Sequence, residues 1–137
     1  MNTYTPRLPF VTWNDAEQAH TFNAETEVGH MVAAYLEAAV WADKPDDEDW
    51  SNANWSTQAL DLAYFECCAL LRLARSHIND WTMEQLGHDF WLTRNGHGTG
   101  FWDREFGTEE NRDALTELSR TFGPSYVYMA DDVLYLD

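Results

Sequence analysis

Residues 87–104, GHDFWLTRNGHGTGFWDR, constrain the fold more than any other stretch of the chain. Two aromatic runs, 89–94 and 100–104, flank a glycine-studded tip at 95–98, and apolar alternation around an Asn-Gly dipeptide is how a β-hairpin is written. On that reading Phe90, Leu92 and Arg94 line one face, with Trp91 and Thr93 on the other. Asn95 and Gly96 tolerate positive φ, and Gly98 and Gly100 allow a bulge or a close backbone approach. The stretch specifies a local structure and names no reaction.

The rest of the chain alternates helical and strand patterns. Residues 1–11 hold Pro6 and Pro9 without periodicity and read as an extended arm or a first edge strand. Asn14 or Asp15 is placed to cap a short helix through Phe22. Asn23 or Thr26 starts a second helix, in which Val28, Met31, Val32, Tyr35, Leu36, Ala39 and Val40 recur at three- and four-residue spacing up to Asp43. Ser56 caps a long helix reaching about Ile78, with Leu60, Ala63, Tyr64, Cys67, Leu70, Leu71 and Ala74 on an apolar arc wide enough for a central core helix. Asp80 caps a brief turn that Gly87 closes. Thr108 or Glu109 opens a helix with Leu115, Leu118, Ser119 and Phe122 inward, stopped by Gly123-Pro124. Strands at 126–129 and 133–136 around Asp131-Asp132 form a second hairpin. The 137 residues therefore predict one α+β domain. In it, N-terminal helices (1–86) pack on a small antiparallel sheet of three to four strands, and 87–137 runs hairpin, helix, hairpin.

Charge limits the partners. Twenty-four acidic residues oppose eight basic ones, for a net charge of −16, and only one of the eight is a lysine. Such a chain repels phosphate backbones, which argues against direct nucleic-acid binding, and attracts basic protein surfaces; the same acidity also serves solubility alone. Cys67 and Cys68 are adjacent in a helical pattern, where a mutual disulfide is geometrically poor, so free thiols in a reducing compartment are expected. No secretory leader and no long apolar run is evident, which predicts a cytoplasmic protein without a membrane span.

Candidate chemistries follow from local clusters. Asp46, Asp47, Glu48 and Asp49 are successive carboxylates that favour a solvated loop, flanked by Trp41, Trp50 and Trp55. With Glu25, Glu27, Glu37, Asp43 and Asp61 they make a spaced anionic surface that imitates a phosphate backbone, and Trp50 is a candidate anchor within it. The glycine and closing glutamate of a calcium loop are absent. His88, Asp89, His97 and Asp103 suggest a different chemistry, a metal site assembled across the hairpin. Carboxylate pairs for hydrolysis, Asp89 with Asp103 or Asp131 with Asp132, are what an acidic chain produces by chance, and Asp131-Asp132 more simply makes a turn. Phe90, Trp91, Phe101 and Trp102 offer a stacking platform, but no basic groove accompanies them.

The string GHDFWLTRNGHGTGFWDR, followed by an acidic helix and then YVYMADDVLYLD, resembles a family of small proteins widespread in bacteriophages and other mobile elements. The resemblance covers 87–137; relatives usually carry glycine after the two aspartates of the last turn, where Val133 stands here. It implies a setting, an accessory protein made inside a bacterial host, and no catalytic residues. The expectation is a non-enzymatic, cofactor-free inhibitor that presents its acidic groups to the basic nucleic-acid-binding surface of a host protein. A competing version places the contact at Arg94 and the 95–98 tip. Two further readings compete with inhibition itself: a metal-binding protein or metal-dependent hydrolase built on the hairpin, and a homodimer formed through exposed tryptophans.

Overall fold

The computed structural model describes residues 27–137 together with the backbone of residues 11–14 and 19–22. Residues 19–22, expected to end a short helix, are strand: β1 (Val11–Asn14) and β2 (Ala19–Phe22) pair antiparallel, Val11 opposite Phe22 and Asn14 opposite Ala19, and 15–18 lie outside the described residues. The arm before Val11, Glu25, and the helix starts proposed at Asn23 and Thr26 lie outside the described residues. Helix α1 (Glu27–Asp43) ends as its pattern requires, ahead of Pro45, and buries Met31, Val32, Tyr35, Leu36, Ala38 and Ala39. Helix α2 (Thr57–Leu73) is capped by Ser56, whose Oγ accepts from Ala59 N at 3.0 Å.

The main correction falls on residues 87–104. Helix α3 (Met83–Arg94) occupies what read as the end of a short turn and the first strand of a hairpin. Thr82 Oγ1 accepts from Gln85 N at 3.1 Å while Gln85 Oε1 accepts from Thr82 N at 2.9 Å, a reciprocal capping box. Asn95-Gly96 is the end of this helix and not the tip of a hairpin. Gly96 has φ +70°, its N–H donates to Thr93 O at 3.2 Å, and His97 N–H donates to Leu92 O at 3.0 Å, which is the Schellman arrangement. A 3-10 turn at Phe101–Asp103 follows. The strand reading fails because every residue from Leu86 to Arg94 except His88 is buried, so beyond its first turn the helix shows almost no polar positions from which a 3.6-residue period could be read.

Helix α3, and not α2, is the central helix: Phe65 and Leu73 on α2 are exposed, whereas Phe90, Trp91 and Leu92 are fully buried. It lies closest to α1. A Cβ on Gly87 would overlap the Met31 carbonyl oxygen and stand 2.9 Å from Tyr35 N, so glycine is what lets the two backbones touch. Tyr35 fills the space beside this contact, with its ring 5.2 Å from Phe90 and edge-on to Trp91 at 5.1 Å.

Helix α4 (Glu109–Arg120) starts at Thr108, whose Oγ1 accepts from Asn111 N, and Gly123 at φ +74° follows its end. Strands β4 (Val127–Ala130) and β5 (Val133–Leu136) make the expected terminal hairpin. The α+β architecture is as expected, with helices on a small sheet of three strands, in which β5 lies between β4 and a short strand at Asn54–Trp55. That sheet is mixed instead of wholly antiparallel: β3 (Asn54–Trp55) pairs parallel to β5, in register Asn54 to Val133. Gln58 on α2 extends it, donating from Nε2 to Leu136 O and accepting from Leu136 N at 3.1 Å.

Both central residues of the β4–β5 turn are left-handed, Asp131 at φ 52° and Asp132 at φ 61°, as a type I′ hairpin demands. Asp132→Gly, which restores the residue this turn type prefers and removes one of two adjacent charges, is expected to stabilise the protein by about 0.5–1 kcal/mol. A thermal melt reading an unchanged or lower midpoint would contradict that.

Candidate functional site

Two parts of the surface gather polar groups: a groove between α1 and α3, and the acidic turn after α1, in which Asp49 accepts from Ser51 N at 2.9 Å while Asp46 and Asp47 face solvent. The groove has a volume of about 550 Å³. Its α1 wall is His30, Ala33, Ala34 and Glu37, its α3 wall Glu84, Gln85, His88 and Asp89, and Arg104 closes one side. The three- and four-residue spacing puts each set on one helix face. His30 Nδ1 and Glu84 Oε2 meet across it at 3.5 Å.

Arg104 is bound to the fold. Its Nε donates to Asp89 Oδ2 at 2.8 Å and its Nη2 to Asp89 Oδ1, a two-pronged bond to a carboxylate with no exposed surface. Hydrogen bonding to Asp89 holds the guanidinium pKa above its ordinary value. His88 Nδ1 stands 3.6 Å from the same carboxylate. Asp89 is thereby a structural anion that ties α3 to the segment after the 3-10 turn.

The proposed metal ligands do not converge. Asp103 accepts from Gly100 N at 2.9 Å and from Thr99 Oγ1 at 3.2 Å, capping the 3-10 turn, and the Gly100 amide keeps its pKa low. His97 stands within electrostatic reach of Asp43. Among the described residues no three His, Cys, Asp or Glu side chains are grouped to hold a metal ion. The stacking platform is not formed either, because Phe90, Trp91 and Phe101 are fully buried.

Arg94, a candidate contact residue on the hairpin reading, is buried in the core. Its Nη1 donates to Tyr35 Oη at 2.7 Å and pairs with Glu66 Oε1 at 2.8 Å. Its Nε and Nη2 donate to the carbonyls of Gly123 and Phe122 at 2.8 and 3.1 Å, and its guanidinium lies 5.7 Å from the ring centroids of Phe90 and Phe122. Burial opposes the charge, but Tyr35 and Glu66 outweigh it and raise the pKa. One side chain thus joins α1, α2, α3 and the end of α4.

The acidic surface divides into structural and free members. Asp43 is half-buried and accepts from Val127 N at 3.0 Å, joining α1 to β4, and burial raises its carboxyl pKa. Trp50 is buried and donates from Nε1 to Glu48 Oε1 at 3.0 Å, so it packs in the core and is not an exposed anchor. Trp41 is the exposed aromatic of this region, at 73 %. Glu27, Glu37, Asp46, Asp47, Glu48 and Asp49 are exposed, and Asp61 is half-buried.

Among the described residues, all carboxylates except Asp43, Asp61, Glu66 and Asp89 are exposed. The cations are distributed in the opposite way. Arg94 and Arg104 bind buried or half-buried acids, Arg112 donates from Nη1 to the carbonyls of Phe106 and Gly107, and Lys44 donates to those of Pro45 and Glu48. Arg72, Arg75 and Arg120 alone remain exposed among the described residues.

His30, Glu84 and Arg104 were not picked out as site residues from the sequence. The signal that places them is the Thr82-x-x-Gln85 capping box, which starts a helix and sets Glu84 and His88 four apart on one face. No helix among the described residues is long and apolar enough to cross a membrane. The fold and site define an acidic α+β protein with a polar interhelical groove. Comparison of the chain with protein-family models, curated proteins and solved structures gives no match.

Proposed function

We infer that the protein is a non-enzymatic inhibitor that presents its acidic surface to the basic nucleic-acid-binding surface of another protein. The setting is the one its sequence resemblance implies, a mobile-element protein acting inside a bacterial host. The observation that carries this reading is the partition of charge: among the described residues Arg94, Arg104, Arg112 and Lys44, four of the seven cations, are bonded to the chain's own carbonyls and carboxylates, while the 46–49 turn and the outer faces of the helices carry exposed acids. A predominantly acidic surface attracts a basic partner and repels free nucleic acid. The contact centres on Asp46, Asp47, Glu48 and Asp49 with Glu27 and Glu37, beside the exposed Trp41.

The test is affinity capture from a bacterial lysate at low and moderate salt. The expected result is a nucleic-acid-handling protein that is retained at low salt and released both by salt and by added DNA or RNA. A retained protein that neither treatment releases would contradict the reading.

A further inference from the structure

Resting on that reading, we propose that the α1–α3 groove seats one basic side chain of the partner, an arginine, between Glu37 and Glu84. The groove is built on a close helix contact. Gly87 brings α3 against the Met31 carbonyl, and Ala33 and Ala34 leave a small-residue floor above that contact, half-exposed and apolar. The two carboxylates stand on opposite walls. Glu84 faces His30, and Glu37 lies seven residues further along α1, roughly 10 Å by helix rise.

The cation already present does not neutralise them. Two of the three nitrogens of Arg104 are directed to Asp89, and its charge is balanced there. Among Glu37, Glu84, Asp89 and Arg104 three carboxylates face one guanidinium, and the formal charges sum to minus two. Its volume of about 550 Å³ is room for a side chain together with the backbone that bears it. Guanidinium suits the site better than ammonium: it is planar, weakly hydrated and matched to carboxylates, and its alkyl stem can lie along the alanine floor.

The probe is a capped tri-arginine peptide titrated into isotopically labelled protein, with tri-lysine as the comparison. Saturable amide shifts at Ala33, Ala34, Glu37 and Gln85 are expected, with binding several-fold tighter for arginine. The Glu37→Gln/Glu84→Gln variant should weaken it at least five-fold. The variant Asp46→Asn/Asp47→Asn/Glu48→Gln/Asp49→Asn removes twice as much charge, yet should leave it within two-fold. Shifts confined to the 46–49 turn, no saturable shifts, or equal losses in the two variants would overturn the groove. The wider reading fails separately, if the captured partner still binds the turn variant at full strength.

Discussion

Gly87→Ala is expected to cost more than 3 kcal/mol and to leave little folded protein. The added methyl would meet the Met31 carbonyl oxygen, with Met31 C and Tyr35 N both at 2.9 Å, and all three are backbone atoms of a helix that cannot rotate aside. Relief requires α1 and α3 to separate, which loosens Tyr35, Phe90 and Trp91 together. Overpacking a core usually costs about 1–3 kcal/mol when side chains can move. Here none can, and the total stability of a domain this size is only about 5–15 kcal/mol. Circular dichroism on heating decides it: a midpoint within about 3 °C of the parent would mean that the helices do not touch as described.

Arg94→Met is the second large effect, at about 3–5 kcal/mol. The loss leaves Glu66 without its cation and removes the donors to the carbonyls of Phe122 and Gly123. Tyr35 can still donate to Glu66 Oε1 at 3.2 Å, and burial holds its phenol well above the ordinary pKa, so that one bond survives. It does not replace a guanidinium. Because much of the cost is the stranded carboxylate, Arg94→Met with Glu66→Leu should recover a substantial part of the lost stability in urea titrations. A single Arg94→Met variant that loses less than about 1 kcal/mol would show that the network is not what joins the four helices.

The helices with a polar side along their whole length were legible in the sequence, and the one whose last two turns are buried all round was not. Helices α1, α2 and α4 each keep an exposed face, so their periods, the Ser56 and Thr108 caps, and the Asp131-Asp132 turn were readable. Helix α3 is enclosed on nearly all sides, and there Phe90, Leu92 and the Asn-Gly pair imitate strand and turn. Two local signals ran the other way, the Thr82-x-x-Gln85 box and a glycine at C′. Strand β3 is two residues long and is defined only by its partner β5, so no local pattern announces it. For the candidate site, exposure of the 46–49 carboxylates followed from their mutual repulsion. The burial of Trp50, the Asp43 bond to Val127 and the Asp89 bond to Arg104 depend on tertiary contacts that spacing does not encode.

The measurement that bears most directly on the function is displacement of nucleic acid from the captured partner. Labelled DNA or RNA is bound to the purified partner, and this protein is titrated in beside a variant with lysine at 46, 47, 48 and 49. Stoichiometric release of the nucleic acid by the parent is expected, with at least a ten-fold loss of potency in the variant and a difference that shrinks as salt rises. A ternary complex in which the nucleic acid stays bound, or equal potency of parent and variant at low salt, would contradict it.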